Sequence, residues 1–166
     1  MNSLHPSFWA ALIGWFIAQL IKMISCFVRS GKLDFSYLLS TGGMPSAHSS
    51  MACSLAISIG LYEGFSSVAF TIGAAFSAVV MFDAQSVRKA AGEQAKILNQ
   101  ILDELLYEHH LSEKKLKELL GHTRLEVLGG LLTGFVSAHL CKFFIYWLLI
   151  FNASLNSLIS QEGQVT

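Results

Sequence analysis

Two histidines in this chain each stand where an apolar stretch opens. His48 follows Pro45-Ser46-Ala47 at the head of a run rich in Ala, Ser and Gly, and His122 precedes Glu126 by four residues at the head of another. Lys22 sits late in the first apolar run, Arg29 follows it, and Asp83 and Arg88 follow the third run. If the runs are helices, Ser46, His48, His122 and Glu126 lie at helix N-termini. Unpaired N–H groups there, with Lys and Arg nearby, make a site for an anion. Two histidines in such a site suit phosphoryl transfer, one as nucleophile and one as general acid.

The elements that position these residues are read from composition and run length. The chain has 166 residues and no net charge, with 11 basic and 11 acidic side chains. Hydrophobic residues make up 53% and charged ones only 13%, where a soluble domain carries roughly 25% charge. Mean hydropathy is +0.53. Disorder, nucleic-acid binding driven by basicity and most soluble folds are excluded on these grounds. Phe8 to Val28, Ala47 to Tyr62, Ser66 to Phe82 and Val127 to Phe151 are the apolar runs, and about 20 residues of helix span a bilayer. The expected fold is all-α: a small polytopic membrane helical bundle of about four transmembrane helices. Gly60/Gly64 and Gly130/Gly134 suit close helix contact.

Residues 84 to 121 change character. Ile97, Leu98, Ile101, Leu102, Leu105 and Leu106 recur at three- and four-residue spacing among charges, the pattern of an amphipathic helix. Ser112 is placed to cap a short second helix that Gly121 stops, and His109/His110 read as a solvated loop. The single membrane domain is taken as 1–151, including this insertion, with 152–166 as a polar, frayed tail. Cys26, Cys53 and Cys141 read as small core hydrophobes.

Four spans leave both termini on one face and the two long loops on the other. Arg29, Lys32, Arg88, Lys89, Lys96, Lys114, Lys115, Lys117 and Arg124 all fall in those loops. The positive-inside rule makes the loop face cytoplasmic, and Lys22, Arg29, His48, His122 and Glu126 fall at that face.

These residues carry a family resemblance. Thr41-Gly-Gly-Met-Pro-Ser-Ala-His-Ser-Ser50 resembles the Pro-Ser-x-His motif of the type 2 phosphatidic acid phosphatase superfamily, which includes the vanadium-dependent haloperoxidases. Val79–Gln100 and Leu119–Gly130 are similar to signatures of its divergent branch of small membrane proteins. The resemblance implies that Lys22 and Arg29 neutralise phosphate oxygens, with Ser30 where the family has Pro. It implies that Ser46 hydrogen-bonds phosphate, that His48 protonates the leaving alcohol and that His122 is the nucleophile. Glu126 stands where the family's orienting Asp would be, and its i,i+4 spacing puts it on the His122 face. Lys115 and Leu116 occupy the positions of the family's Ser-Arg pair. Arg88, Lys117 or Arg124 would have to replace that arginine in space.

The implied partner is a phosphorylated small molecule or lipid in a bilayer, with no nucleic acid. No cofactor is expected, although vanadate or phosphate fits the site. The resemblance places the protein in a bacterial plasma membrane or a plastid membrane. Each residue also has a plainer role: Lys22 can snorkel, Ser46 can cap a helix, and Asp83 and Arg88 can form an ion pair. A binding or assembly protein that keeps the fold without the chemistry is the alternative reading. A metal site from His48, Asp83, His122 and Glu126 is chemically adequate but disfavoured by the nearby cations. His139 and Lys142 lie far from the loop face.

Overall fold

The computed structural model describes residues 4–31, 43–106 and 122–162, and among them every regular element is a helix. In chain order these are α1 (Pro6–Ser30), α2 (Ala47–Glu63), α3 (Val68–Gln85), α4 (Val87–Leu106) and α5 (Arg124–Glu162). The boundaries follow local chemistry. Pro6 opens α1, where its missing N–H is no loss, and His5 Nδ1 accepts from the Ser7 N–H at 3.3 Å. Gly31, at φ 67°, closes α1 by donating its N–H to the Phe27 carbonyl. Ser46 and Ser67 cap α2 and α3 with their side-chain oxygens.

Helix α2 is the centre of the bundle, flanked by α1, α3 and α5. Its buried residues are almost all small: Ala47, Ser49, Ser50, Ala52, Cys53, Ser54, Ala56, Ser58 and Gly60. Lipid tails are as apolar as leucine, so helices in a bilayer associate through close packing and hydrogen bonds rather than through exclusion of water. The contacts agree. Ser50 Oγ donates to the Gly14 carbonyl at 2.8 Å, and Ser54 Oγ to Ala10 at 2.7 Å, which fixes α1 antiparallel to α2. Gly130 lies against Ser46 and Ser49, and Gly134 against Ser50, Cys53 and Ser54, so α5 runs parallel to α2. Gly73 brings α3 close to Ala56. Large hydrophobics point outward instead, including Trp9, Phe16, Ile72, Phe76, Leu132 and Phe135.

Three segments are long and apolar enough to cross a membrane: Pro6–Val28, Val68–Asp103 and Arg124–Asn156. Helix α2, with 17 residues, is about 25 Å long and lies enclosed by the other helices. The amphipathic helix expected after the third run is α4, which among the described elements touches only α3. The second short helix, Gly121 and His109/His110 fall outside the described residues. One boundary differs from expectation. The polar tail expected over 152–166 is helical through Glu162, where α5 ends. No Gly or Pro interrupts that stretch before Gly163, so nothing in it opposes helix propagation.

Candidate active site

Four helix ends meet at the loop face. The His122 N–H donates to the Ala84 carbonyl at 3.0 Å, tying the entry of α5 to the end of α3. The Ser46 N–H donates to the Glu126 carbonyl at 2.9 Å, tying the cap of α2 to the first turn of α5. Ser46 is fully buried, and its Oγ accepts from the Ser49 N–H and from Ser49 Oγ at 3.1 Å. Gly130 permits this approach, because a methyl group there would collide with the Ser46 carbonyl.

The histidine–carboxylate pair expected from i,i+4 spacing is present. His122 Nδ1 lies 3.3 Å from Glu126 Oε2, with the imidazole 3% exposed and the carboxylate 22%. Glu126 also belongs to a helix cap. The Thr123 N–H donates to Glu126 Oε2 at 2.8 Å, and the Glu126 N–H donates to Thr123 Oγ1 at 3.3 Å. This reciprocal exchange is a capping box. The Thr-x-x-Glu spacing is the one sequence signal that points to Thr123.

Lys22 arrives from α1. Only 4% of it is exposed, and its ammonium interacts electrostatically with the Glu126 carboxylate. It lines a cleft of about 530 Å³ between α1, the Gly43–Pro45 segment and α5. Gly43, at φ 89°, holds the backbone near the Lys22 side chain. Gly129 and Thr133 form the α5 wall, while Ser25, Cys26 and Ser30 line the α1 wall.

The predicted residues therefore separate into groups. Lys22, Ser46, His122 and Glu126 are linked by the contacts above. His48 is half-buried in the first turn of α2, at the same end of the bundle, and lines the cleft no more than Ser46, His122 or Glu126 does. Arg29 lies in the last turn of α1 and Arg88 in the first turn of α4, both at the loop face; their side chains are outside what the structure describes. Lys115, Leu116 and Lys117 are outside it too. Among the described residues, no three His, Cys, Asp or Glu side chains are grouped to hold a metal ion. The four-residue metal set is thus not assembled. His139 and Lys142 belong to the other end, where Lys142 Nζ donates to the Leu61 carbonyl at 2.9 Å.

A family model described as the Divergent PAP2 family matches residues 4–137. The chain belongs to the divergent PAP2 family. The matched span of this PAP2-family chain includes α1 to α4 and the N-terminal third of α5, which carries the site. The chain is also 38% identical over 148 residues to the Bacillus subtilis (strain 168) protein named "Uncharacterized membrane protein YuiD", covering 81% of this chain and 92% of that one. No solved structure matches it. Family, relative and apolar helices together make this divergent PAP2 protein an integral membrane protein.

Proposed function

We propose that this protein hydrolyses a phosphomonoester or pyrophosphate, of a lipid or a small molecule, at the cytoplasmic face of a bacterial plasma membrane or a plastid membrane. The observation that carries the reading is the buried His122 with Glu126 Oε2 3.3 Å from its Nδ1 and the Lys22 ammonium in electrostatic reach of the carboxylate. A carboxylate at Nδ1 orients an imidazole and leaves Nε2 for attack on phosphorus. In this reading His48 protonates the leaving oxygen. Lys22, Arg29, Ser46 and Arg88 hold the phosphoryl oxygens, which vanadate or phosphate would mimic, and no cofactor takes part.

Balance is simple. The His122 nitrogen forms a bond to phosphorus as the P–O bond to the leaving group breaks, with the proton of His48 ending on that oxygen. Water then cleaves the phosphohistidine, its proton returning to His48. The test is phosphate release by the full-length protein in lipid nanodiscs, with phosphatidate, an isoprenyl pyrophosphate and a soluble phosphoester as substrates. His122→Ala is expected to abolish release. Lys22→Met is expected to lower it by on the order of a hundredfold, the size of effect seen when one preorganised donor is removed. No release from any of the three by native protein would sink the hydrolase reading.

A second reading is favoured by one observation: the cleft that Lys22 lines is not lined by either histidine. A phosphate-binding protein without turnover needs only the cation. Vanadate protection that survives His122→Ala but not Lys22→Met, in protein that releases no phosphate, would select this reading.

A further inference from the structure

Gln19 interrupts the apolar run of α1 with a carboxamide. Only 3% of the residue is exposed, and among the described residues its Oε1 has no hydrogen-bond partner. Other polar side chains in the spans bond a helix carbonyl: Ser50 that of Gly14, Ser54 that of Ala10 and Lys142 that of Leu61. A buried polar atom without such a bond calls for a partner that the chain does not supply. The Ser58 and Tyr62 hydroxyls share this condition, but they lie in the half of α2 remote from the loop face. Gln19 is the one beside a cleft.

Its placement follows from helix geometry. Residues three apart are neighbours on a helix surface, and residues seven apart nearly eclipse. Gln19, Lys22 and Cys26 therefore form one stripe on α1, and Lys22 and Cys26 line the cleft of about 530 Å³. Since α1 ends at the loop face, Gln19 continues that stripe about 4.5 Å deeper into the bundle than Lys22. The stripe faces away from α2. Gly14 packs on Ser50 and Ser54 of α2, and the five residues from Gly14 to Gln19 turn the helix by about 140°. Helix α5, whose Gly129 and Thr133 form the opposite wall, is the other helix that α1 touches.

Lys22 is itself buried, with 4% exposed, and a buried ammonium favours an anion. A phosphoryl group has more acceptor oxygens than one cation can satisfy. A carboxamide suits the remainder, because its NH₂ donates without placing a second charge in the bundle, where desolvation is costly. A half-turn of the amide exchanges its two ends, so the buried end can present the donor. We propose that Gln19 is a further anion-binding residue of the cleft: its carboxamide donates to an oxygen of the phosphoryl group that Lys22 neutralises. This rests on the phosphate reading of the cleft, which the hydrolase and the binding protein share, and not on turnover.

The experiment is thermal unfolding of the full-length protein in lipid nanodiscs over a series of inorganic phosphate concentrations, with ionic strength held constant by chloride. Native protein is expected to unfold at higher temperature as phosphate rises, by mass action. Gln19→Met keeps the length of the side chain and removes the amide. Without phosphate it is expected to unfold at the native temperature or above, since an unpartnered polar group has given way to an apolar one. It is then expected to need about tenfold more phosphate for the same shift, the loss of one hydrogen bond to a charged group. Gln19→Leu supplies the same two readings should Gln19→Met misfold. Unfolding well below the native temperature without phosphate would give the amide a structural partner, and a native phosphate dependence would take it off the anion; either overturns the proposal. Native protein that phosphate does not stabilise overturns the phosphate reading of the cleft and the proposal with it. The expected pattern in protein that releases no phosphate from any ester would remove the hydrolase reading and leave this one standing.

Discussion

The Ser46 backbone N–H donates to the Glu126 carbonyl oxygen across 2.9 Å, so the residue that caps the central helix is fastened to the residue that faces His122. One end of this link is the N-cap of α2 and the other lies in the first turn of α5. A displacement of either helix therefore moves the site.

The Ser46 hydroxyl should matter separately from its backbone. Ser46→Ala keeps the N–H bond to Glu126 and removes the cap on Ser49 and the partner of Ser49 Oγ. Loss of such a cap costs about 1 kcal/mol, up to about 2 in unfavourable cases. Thermal unfolding in detergent checks the loss. Phosphate protection against proteolysis should fall with it if Ser46 also touches phosphate.

Glycine tolerance should differ sharply along α5. A Cβ at Gly134 would meet the Ser50 carbonyl and lie 2.9 Å from Cys53 Cβ, and neither group can yield without moving α2. At Gly129 the nearest atom is the flexible end of Met44, at 3.2 Å. Gly134→Ala should destabilise by about 1–3 kcal/mol. Gly129→Ala should be neutral or gain a fraction of the ~1 kcal/mol that separates alanine from glycine in a helix. Unfolding of the two variants side by side decides between these outcomes.

The serine contacts between α1 and α2 should be individually weak. Ser50→Ala and Ser54→Ala each remove one hydroxyl bond to a helix carbonyl. Such bonds in membranes average about 0.6 kcal/mol, and the double variant should lose about twice that. A loss of several kcal/mol for either single change would show that packing, not hydrogen bonding, sets their contribution.

Thiol chemistry should report the cleft. Cys26 is half-buried and lines it, with Sγ 3.7 Å from Ser30 Oγ, whereas Cys53 and Cys141 are buried. A maleimide should modify one thiol in folded protein and all three after unfolding. Mass spectrometry of peptides would locate the first at Cys26, and a label at Cys53 before Cys26 would contradict the packing.

Much of the bundle was legible because length and greasiness suffice for α1, α3 and α5. The central role of α2 was not. Its face is made of Ser, Ala and Gly, which carry little hydropathy, so the most buried helix looked like the weakest run. The His122–Glu126 pair was legible because helical periodicity relates residues four apart. The Ser46–Glu126 link was not, since a backbone hydrogen bond between distant segments leaves no side-chain signature. Lys22 could be placed near the loop face by counting, but its electrostatic contact with Glu126 depends on how α1 is rotated against α5. The hydropathy of Asn152–Glu162 suggested a tail, whereas the absence of helix breakers carried more weight in the fold.

The bond from the His122 N–H to the Ala84 carbonyl has a consequence for chain entropy. The bond holds His122 against Ala84, so the two ends of the stretch between them are fixed to each other. The entropy of closing such a stretch grows only with the logarithm of its length. A change of length in that stretch away from Arg88 therefore adds little closure entropy while Ala84 and His122 stay joined.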